Sequence, residues 1–452
     1  MPGLREDDVI NKYLIDIKVP RDSMVPLEVY IAFPKSLEDE EVREKIRKLW
    51  LYGNDKQTVS MDLMFRSEME CVFRPVGLLI DWKTVSIYVH TPSGLNIYIP
   101  AKLLEMLGDT TEKRIENLND YLHIRFKKEG SDLVATSVLP LRGKIMNDIA
   151  TEILENTSYQ PIDVLVIGLG YEPNNEVKRL FCPRLLSWFK GFDGRPLHIA
   201  QFTPPESGKT SFGLRCETLF NWRYIAEPPT LARLVLDART GVLGEVFLRN
   251  GLVFDEFDKW DVSTADRQHT FYTILTGMEQ GKWTRGVSAM GVRAPDIPRF
   301  IPVFFFGNIG DWQKYNGVKP WVSRAIFNTI YQQRMGQDVS ALCDRIAWID
   351  VCYREIKIMD YLTYKVLPDG VIRGLVEHIQ RNVKPVEVSA LRGRLGRHAN
   401  NVYAVLSQLL RKVVPEKVDA VVSGVVTLDE ALKSERKAEE ELEKHREMLE
   451  RG

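Results

Sequence analysis

The stretch TPPESGKTSF (203–212) holds a glycine, a lysine and a hydroxyl in the order that binds phosphate. In a G-x-x-x-x-G-K-[ST] loop, backbone N–H groups and a helix N-terminus cradle the phosphates. The lysine reaches the β and γ groups, and the Ser/Thr hydroxyl reaches Mg2+. Ser207, Gly208, Lys209, Thr210 and Ser211 are the nucleotide-binding candidates, with Thr203 standing where the first glycine belongs. That position serves turn geometry rather than charge, so the electrostatic half of the loop survives. A competing stretch, IDVLVIGLGYEP (162–173), reads as a strand running into a dinucleotide-type turn at Gly168 and Gly170. Its third position is Pro173 and Asp193 lies in a polar GFDG turn, so the acidic residue expected about twenty residues on is missing. It is the weaker phosphate site.

The Lys209 loop has its partners in chain order. LHIAQF (197–202) reads as the buried strand before it and TSFGLRCETLF as the helix after it. The apolar run LVFDEF closes on Asp255, suited to hold Mg2+ through water, and on Glu256, suited to polarise the attacking water. VFFFGN closes on Asn308, placed to face the γ-phosphate. ATP and Mg2+ are the ligands this order calls for.

The elements that must position these residues fall into four segments. In 1–157, YLIDIKV (13–19) and LEVYIAF (27–33) are strand-like, and SLEDEEVREKIRKLWL (36–51) reads as a helix with Ser36 as its cap. Residues 85–100 and 122–141 read as hairpins, and KIMNDIATEILENT (144–157) as a helix. We read 1–157 as an N-terminal α/β domain, in which the basic hairpin residues Arg125, Lys127 and Lys128 are candidates for a second contact surface for DNA. From 158 to 358, apolar strands alternate with longer helices, the pattern of a parallel α/β core. Residues 359–418 read as a helical lid. Residues 419–452 read as a charged helix with Glu440–Lys444 and Glu447–Arg451 pairs, fit either for solubility or for a partner.

Over roughly 165–415 the chain resembles AAA+ ATPases. The run VFDEFDKWDVSTADRQHTFYTILTGMEQGKWTRGVSAMG resembles the acidic motif and following helix of MCM replicative helicases. IGLGYEP, GVLGEVFLRNGLVFDE, TGMEQGKWTRG, VFFFGNI and CDRIAWID follow the order of BrxL, the Lon-related AAA+ protein of the BREX phage-defence system. The resemblance implies a P-loop core with a helical lid, assembled as a hexamer or double hexamer, and turns IGLGYEP into a segment leading into the core. It implies Arg345 as an arginine acting on a neighbouring subunit's γ-phosphate, with Arg324, Arg334 and Arg239 in reserve. Arg397 takes the place of the lid arginine, with Arg392 and Arg394 close by. A pore hairpin is implied at 281–300, where Lys282, Arg285, Arg293 and Arg299 would meet DNA phosphates and Trp283 would stack on bases. After the lid there is no room for a Ser–Lys protease domain, so proteolysis is not expected.

Composition bounds these readings. Net charge is −1, so any basic surface must be local. Five scattered cysteines with no C-x-x-C pair argue for reduced thiols, and seven histidines show no H-E-x-x-H spacing. No apolar run approaches the ~18–20 residues of a membrane span, and the N-terminus is acidic, so the expectation is a soluble cytoplasmic protein with no membrane contact. Two functions compete: a DNA-translocating or unwinding ATPase, and a polypeptide-remodelling one. WRYIAEPP (222–229), with Tyr224 and Ile225 but no glycine, is the feature that leans toward a polypeptide.

Overall fold

A computed structural model describes residues 8–16, 39–55, 68–81, 86–109, 114, 117–118, 120–130, 132–141, 146–237, 239, 243–260, 264–284, 298–308, 340–351, 356–385 and 398–410. It is an α/β protein with a mixed six-stranded sheet, a parallel five-stranded sheet and a two-stranded ribbon. Among the described residues no helix is long and apolar enough to cross a membrane.

The N-terminal part begins with β1 (Ile15–Asp16) and helix α1 (Glu40–Asn54). The cap of α1 is Asp39, not Ser36: its carboxylate accepts from the N–H groups of Glu41 at 2.8 Å and Val42 at 3.4 Å. A carboxylate there also meets the positive end of the helix dipole, which a serine does not do with a full charge. Six strands follow: β2 (Glu68–Phe73), β3 (Gly77–Asp81), β4 (Ser86–His90), β5 (Asn96–Ile99), β6 (Leu122–Glu129) and β7 (Asp132–Pro140). They lie in the order β2-β6-β7-β5-β4-β3, and the two expected hairpins are β4–β5 and β6–β7. Period-two alternation turns Leu122, Ile124 and Phe126 inward while Arg125 stays outside.

Helix α2 (Asn147–Asn156) follows, and then helix α3 (Pro161–Gly168), where a strand was expected. All eight residues of α3 are buried, so the run carries no period by which a strand could be told from a helix. The local chemistry decides it. Pro161 sits at the first helical position and the Asp163 carboxylate accepts from the Gln160 N–H at 3.1 Å, closing the first turn.

The parallel sheet is laid on this helical layer. In chain order come α4 (Asn175–Leu186), β8 (Ile199–Thr203), α5 (Lys209–Phe220), β9 (Trp222–Ile225), β10 (Gly251–Phe254), α6 (Ala265–Gln280), β11 (Val303–Asn308) and β12 (Trp348–Val351). In space the strands run β12-β8-β11-β10-β9, all parallel. Ile199, Phe304 and Phe306 join the cluster with α3, α4 and α5; Ala200, Phe202 and Phe305 join the other with α6. Both faces are covered, which is why these strands read as unbroken apolar runs. Strand β8 lies inside the sheet with β12 on one side and β11 on the other. Its carboxyl end is therefore a point where the strand order reverses, the place where open α/β sheets bind ligands.

The chain then forms β13 (Lys365–Val366), α7 (Asp369–Arg381) and α8 (Ala399–Leu409). β13 pairs antiparallel with β1, and α2, α3, α7 and α8 share one hydrophobic cluster. Segment 147–156, on the N-terminal side of the expected boundary at 157, thus packs with the post-core helices.

Buried charge joins the two large sheets. Arg74, just after β2, donates to Asn221 Oδ1 at 2.5 Å and to the Trp222 carbonyl at 3.0 Å. Arg249 donates to Glu245 at 3.1 Å, to Asn221 Oδ1 at 3.0 Å and to the Pro75 carbonyl at 2.8 Å. Burial, and then the nearby Arg74 charge, draw the Arg249 pKa down to about 10.

Candidate functional site

The loop leaving β8 makes its turn without a first glycine. Thr203 remains the last residue of the strand, fully buried, and the left-handed residues come later, at Glu206 (φ 63°) and Gly208 (φ 76°). Gly208 could not be replaced cheaply: a Cβ there would lie 2.9 Å from Ile358 Cγ2. Thr203 contributes a hydroxyl, 2.7 Å from that of Ser207 across the loop. Lys209, the first residue of α5, donates to Thr203 Oγ1 and the Thr203 carbonyl at 3.2 Å and to the Pro204 carbonyl at 3.0 Å. All three ammonium donors are thus met by the loop itself. Burial, and next the Arg184 charge, pull the Lys209 pKa down to about 8, against the opposing pull of Asp255 and Asp258.

Arg184 had no role in the sequence reading. It projects from α4, is fully buried, and donates to Gln201 Oε1 at 2.7 Å and to the Ser207 carbonyl at 3.0 Å. Gln201 in turn donates to Asp350 at 3.0 Å, and Asp350 pairs with Arg179 at 2.7 Å. This row of polar groups runs under the loop from β12 through β8 to α4. Its only trace in the sequence is an arginine set in the apolar text LFCPRLL.

Strand β10 delivers the acidic pair. Asp255 is buried; its Oδ1 accepts from the Glu256 N–H at 2.8 Å and its Oδ2 accepts from the Tyr224 hydroxyl. The same hydroxyl lies 3.3 Å from Thr210 Oγ1. Glu256 is held at φ 50°, a left-handed conformation costing a non-glycine residue about 1–3 kcal/mol. A short 3-10 turn follows at Phe257–Lys259, and Lys259 pairs with Glu256 at 2.5 Å. Asn308 ends β11, its N–H donating to Asp258 Oδ1 at 2.8 Å.

Ser207, Gly208, Lys209, Thr210, Ser211, Asp255, Glu256 and Asn308 line a single cavity of about 680 Å3, together with Lys357, Ile358 and Met359, the second of which packs against the loop at Gly208. The volume and the donors suit a nucleotide polyphosphate. Among the described residues no group of three or more His, Cys, Asp and Glu could hold a metal ion. Mg2+ asks for less, since it is ordinarily held by one or two carboxylates together with substrate phosphates. Thr210 and Asp255, joined through one phenol, fit that requirement.

Other sequence candidates are arranged differently. Arg345 precedes β12, at the end of the sheet opposite the loop, where it donates to the Leu275 carbonyl at 3.0 Å and pairs with Glu279 at 3.3 Å. It does not line its own chain's cavity. Trp283, expected to stack on bases, is buried: its indole N–H donates to the Arg299 carbonyl at 2.8 Å and its ring packs on Gly277. Arg299, expected to face phosphates, donates to the carbonyls of Phe247 at 3.0 Å and Arg249 at 2.9 Å. Both are consumed in anchoring the base of 281–300 to the core, while Lys282 is exposed. Arg285, Arg293, Arg324, Arg334, Arg392, Arg394 and Arg397 lie outside the described residues. In the N-terminal sheet, Arg125 pairs with Glu70 at 3.3 Å and Lys127 with Glu129 at 2.7 Å, so their charge is locally offset. Tyr224, a weak sign of a polypeptide-gripping loop in sequence, is a β9 residue bonded into this site.

No family model matches the chain. It is similar to uncharacterized protein ORF425 of Acidianus filamentous virus 2 (isolate Italy/Pozzuoli), 29% identical over 425 residues that cover 88% of this chain and 93% of the relative. It is also similar to uncharacterized protein 440 of Sulfolobus islandicus rod-shaped virus 1, 26% identical over 374 residues, covering 80% and 81%. Uncharacterized protein ORF426 of Acidianus filamentous virus 1 (isolate United States/Yellowstone) is 25% identical over 377 residues, covering 79% and 86%.

Proposed function

We propose that the chain is an ATPase of the AAA+ class that works as a ring and couples hydrolysis to movement along, or unwinding of, DNA. The observation that carries the reading is the convergence of Lys209, Thr210, Asp255, Glu256 and Asn308, from three parallel strands and one helix N-terminus, on one cavity. The strand order supports it, since β11, with Asn308 at its tip, lies between the strand that feeds the loop and the strand that ends in the acids.

In this reading Lys209 leaves the loop carbonyls to neutralise β- and γ-phosphate charge, and the backbone amides that open α5 meet the remaining oxygens. Thr210, and Asp255 through water, would hold Mg2+. When bound, the ion offsets charge building on the phosphoryl oxygens. Glu256 orients a water molecule and takes its proton, while the Asn308 amide donates to the transferring group. Among the described residues no arginine lines the cavity. The ring with shared sites rests on the AAA+ resemblance, in which Arg345 acts on a neighbouring subunit's γ-phosphate.

DNA as the substrate rests on the MCM-like run and on the segment anchored by Trp283 and Arg299 ahead of β11. With viral proteins as relatives, we place the activity in the handling of a viral or other mobile genome. A polypeptide substrate loses its sequence support, because Tyr224 is engaged in the sheet. ATP hydrolysis measured with and without single- and double-stranded DNA tests the reading. Mg2+-dependent hydrolysis that DNA stimulates is the expected result. A well-folded protein that hydrolyses no ATP under any of these conditions overturns it.

A further inference from the structure

We propose that Tyr224 is a positioning residue for the cation of this site: its phenol fixes Asp255 and Thr210 as a pair before Mg2+ arrives. The inference rests on the ATPase reading and deepens it. Three contacts carry it. The Tyr224 hydroxyl donates to Asp255 Oδ2 and lies 3.3 Å from Thr210 Oγ1, so one group spans both ligands. The other carboxylate oxygen of Asp255 is held by the Glu256 N–H at 2.8 Å, which leaves the carboxylate fixed at both ends. The backbone N–H of Tyr224 donates to Glu217 Oε1 at 2.8 Å, tying β9 to α5, the helix that carries Thr210.

The slot for the ring is built into α5. A Cβ on Gly213 would stand 2.4 Å from Tyr224 Cδ2, so a glycine at this turn of the helix is what lets the ring lie flat between α5 and β10. Tyr224 pairs with Val253 in register, two residues before Asp255, so the ring reaches forward to the carboxylate rather than across it. Burial, and then the bond to Asp255, raise the phenol pKa to about 12. A carboxylate held by an outer donor keeps the geometry a small octahedral cation demands, and loss of such a partner weakens metal binding by about 10- to 100-fold.

The test compares wild type with Tyr224→Phe, which removes one oxygen and keeps the ring. Two quantities are measured: the MgCl2 concentration giving half-maximal ATP hydrolysis, and the affinity for a fluorescent mant-ATP in EDTA. We expect the Mg2+ requirement to rise about 10- to 100-fold, with Mg2+-free mant-ATP affinity within about twofold of wild type. Gly213→Ala, which displaces the ring but keeps the hydroxyl, should raise the Mg2+ requirement in the same direction. An unchanged Mg2+ requirement in Tyr224→Phe overturns the inference and leaves the ATPase reading standing. Equal losses with and without Mg2+ overturn it too, since a merely structural tyrosine behaves so. If wild type binds no mant-ATP and hydrolyses no ATP, both readings fall together.

Discussion

Thr203 and Asn308, the last residues of β8 and β11, pair side by side in register across the parallel sheet. The strand that launches the loop and the strand that carries the amide therefore finish at the same height. The loop folds back over that edge, and Asn308 stands beside its root. Position in the sheet, not the loop sequence, brings the amide to the cavity.

Removing the charge and removing the base should separate binding from chemistry. Lys209→Ala is expected to abolish nucleotide binding by equilibrium titration. Glu256→Gln is expected to keep ATP bound while hydrolysis falls by ~10²-fold or more, because the carboxylate acts on water and not on the phosphates. Unchanged turnover in Glu256→Gln would sink the assignment. Trapped with ATP, this variant should also sediment as a ring; a monomer at every ATP concentration would count against shared sites.

If the chain is the ATPase proposed, Lys209 should make its ATP affinity depend on pH. Its pKa is near 8 in the free protein, so the ammonium begins to lose its proton above that value. Bound phosphate favours the charged form and raises the pKa. Affinity should accordingly be flat below about pH 8 and weaken by up to about tenfold per unit above it, until the bound-state pKa is reached. Titrations from pH 6.5 to 9.5 check this, and a flat profile refutes it. For folding the sign is opposite. A lysine depressed from 10.5 to about 8 binds more protons when unfolded, so its penalty is full below pH 8 and fades as pH rises toward 10.5.

Arg184 is one source of that depression, and its removal should be visible there. Arg184→Met takes a donor from Gln201 and from the Ser207 carbonyl, costing about 1–3 kcal/mol for each acceptor left unmet. It also removes a positive neighbour of Lys209, so the pH at which ATP affinity starts to fall should move upward. Stability loss with no movement of that midpoint would mean the arginine props the loop and nothing more.

Thr203→Val keeps the strand and deletes the hydroxyl. The contacts to Ser207 and Lys209 are lost, at about 0.5–1.5 kcal/mol apiece, so melting temperature should fall. Thr203→Gly, which restores the residue common to such loops, should destabilise further by about 0.5–1 kcal/mol, because the glycine now sits in a strand. A glycine variant more stable than wild type would refute this account of the turn.

Much of this site is legible in the sequence because its signals are local. A lysine after a glycine, two acids at the end of an apolar strand and turns marked by Ser93-Gly94 and Glu129-Gly130 need no tertiary context. The hairpins of the N-terminal sheet show their alternation for the same reason. What could not be read depends on what packs from far along the chain. Segment 161–168 is buried on every side, so its apolar run has no period. Trp283 looks like a stacking residue until Gly277, near the end of α6, is seen making room for it. Arg184 and Tyr224 acquire meaning only when α4 and β9 are laid beside the loop.

The joint made by Arg74 and Arg249 behaves as a weld and not as a hinge. Two guanidinium groups converge on the single oxygen of Asn221, away from water, and a third contact from Arg74 reaches Glu217 at 3.5 Å. Pulling the sheets apart would take the Arg74 donor from the Trp222 carbonyl and the Arg249 donor from the Pro75 carbonyl, at about 1–3 kcal/mol each, while Arg249 would stay on Asn221. Glu217 is also the acceptor for the Tyr224 backbone. Through Arg74, Glu217 and the Trp222 carbonyl, a displacement of the N-terminal sheet would bear directly on β9 and on α5.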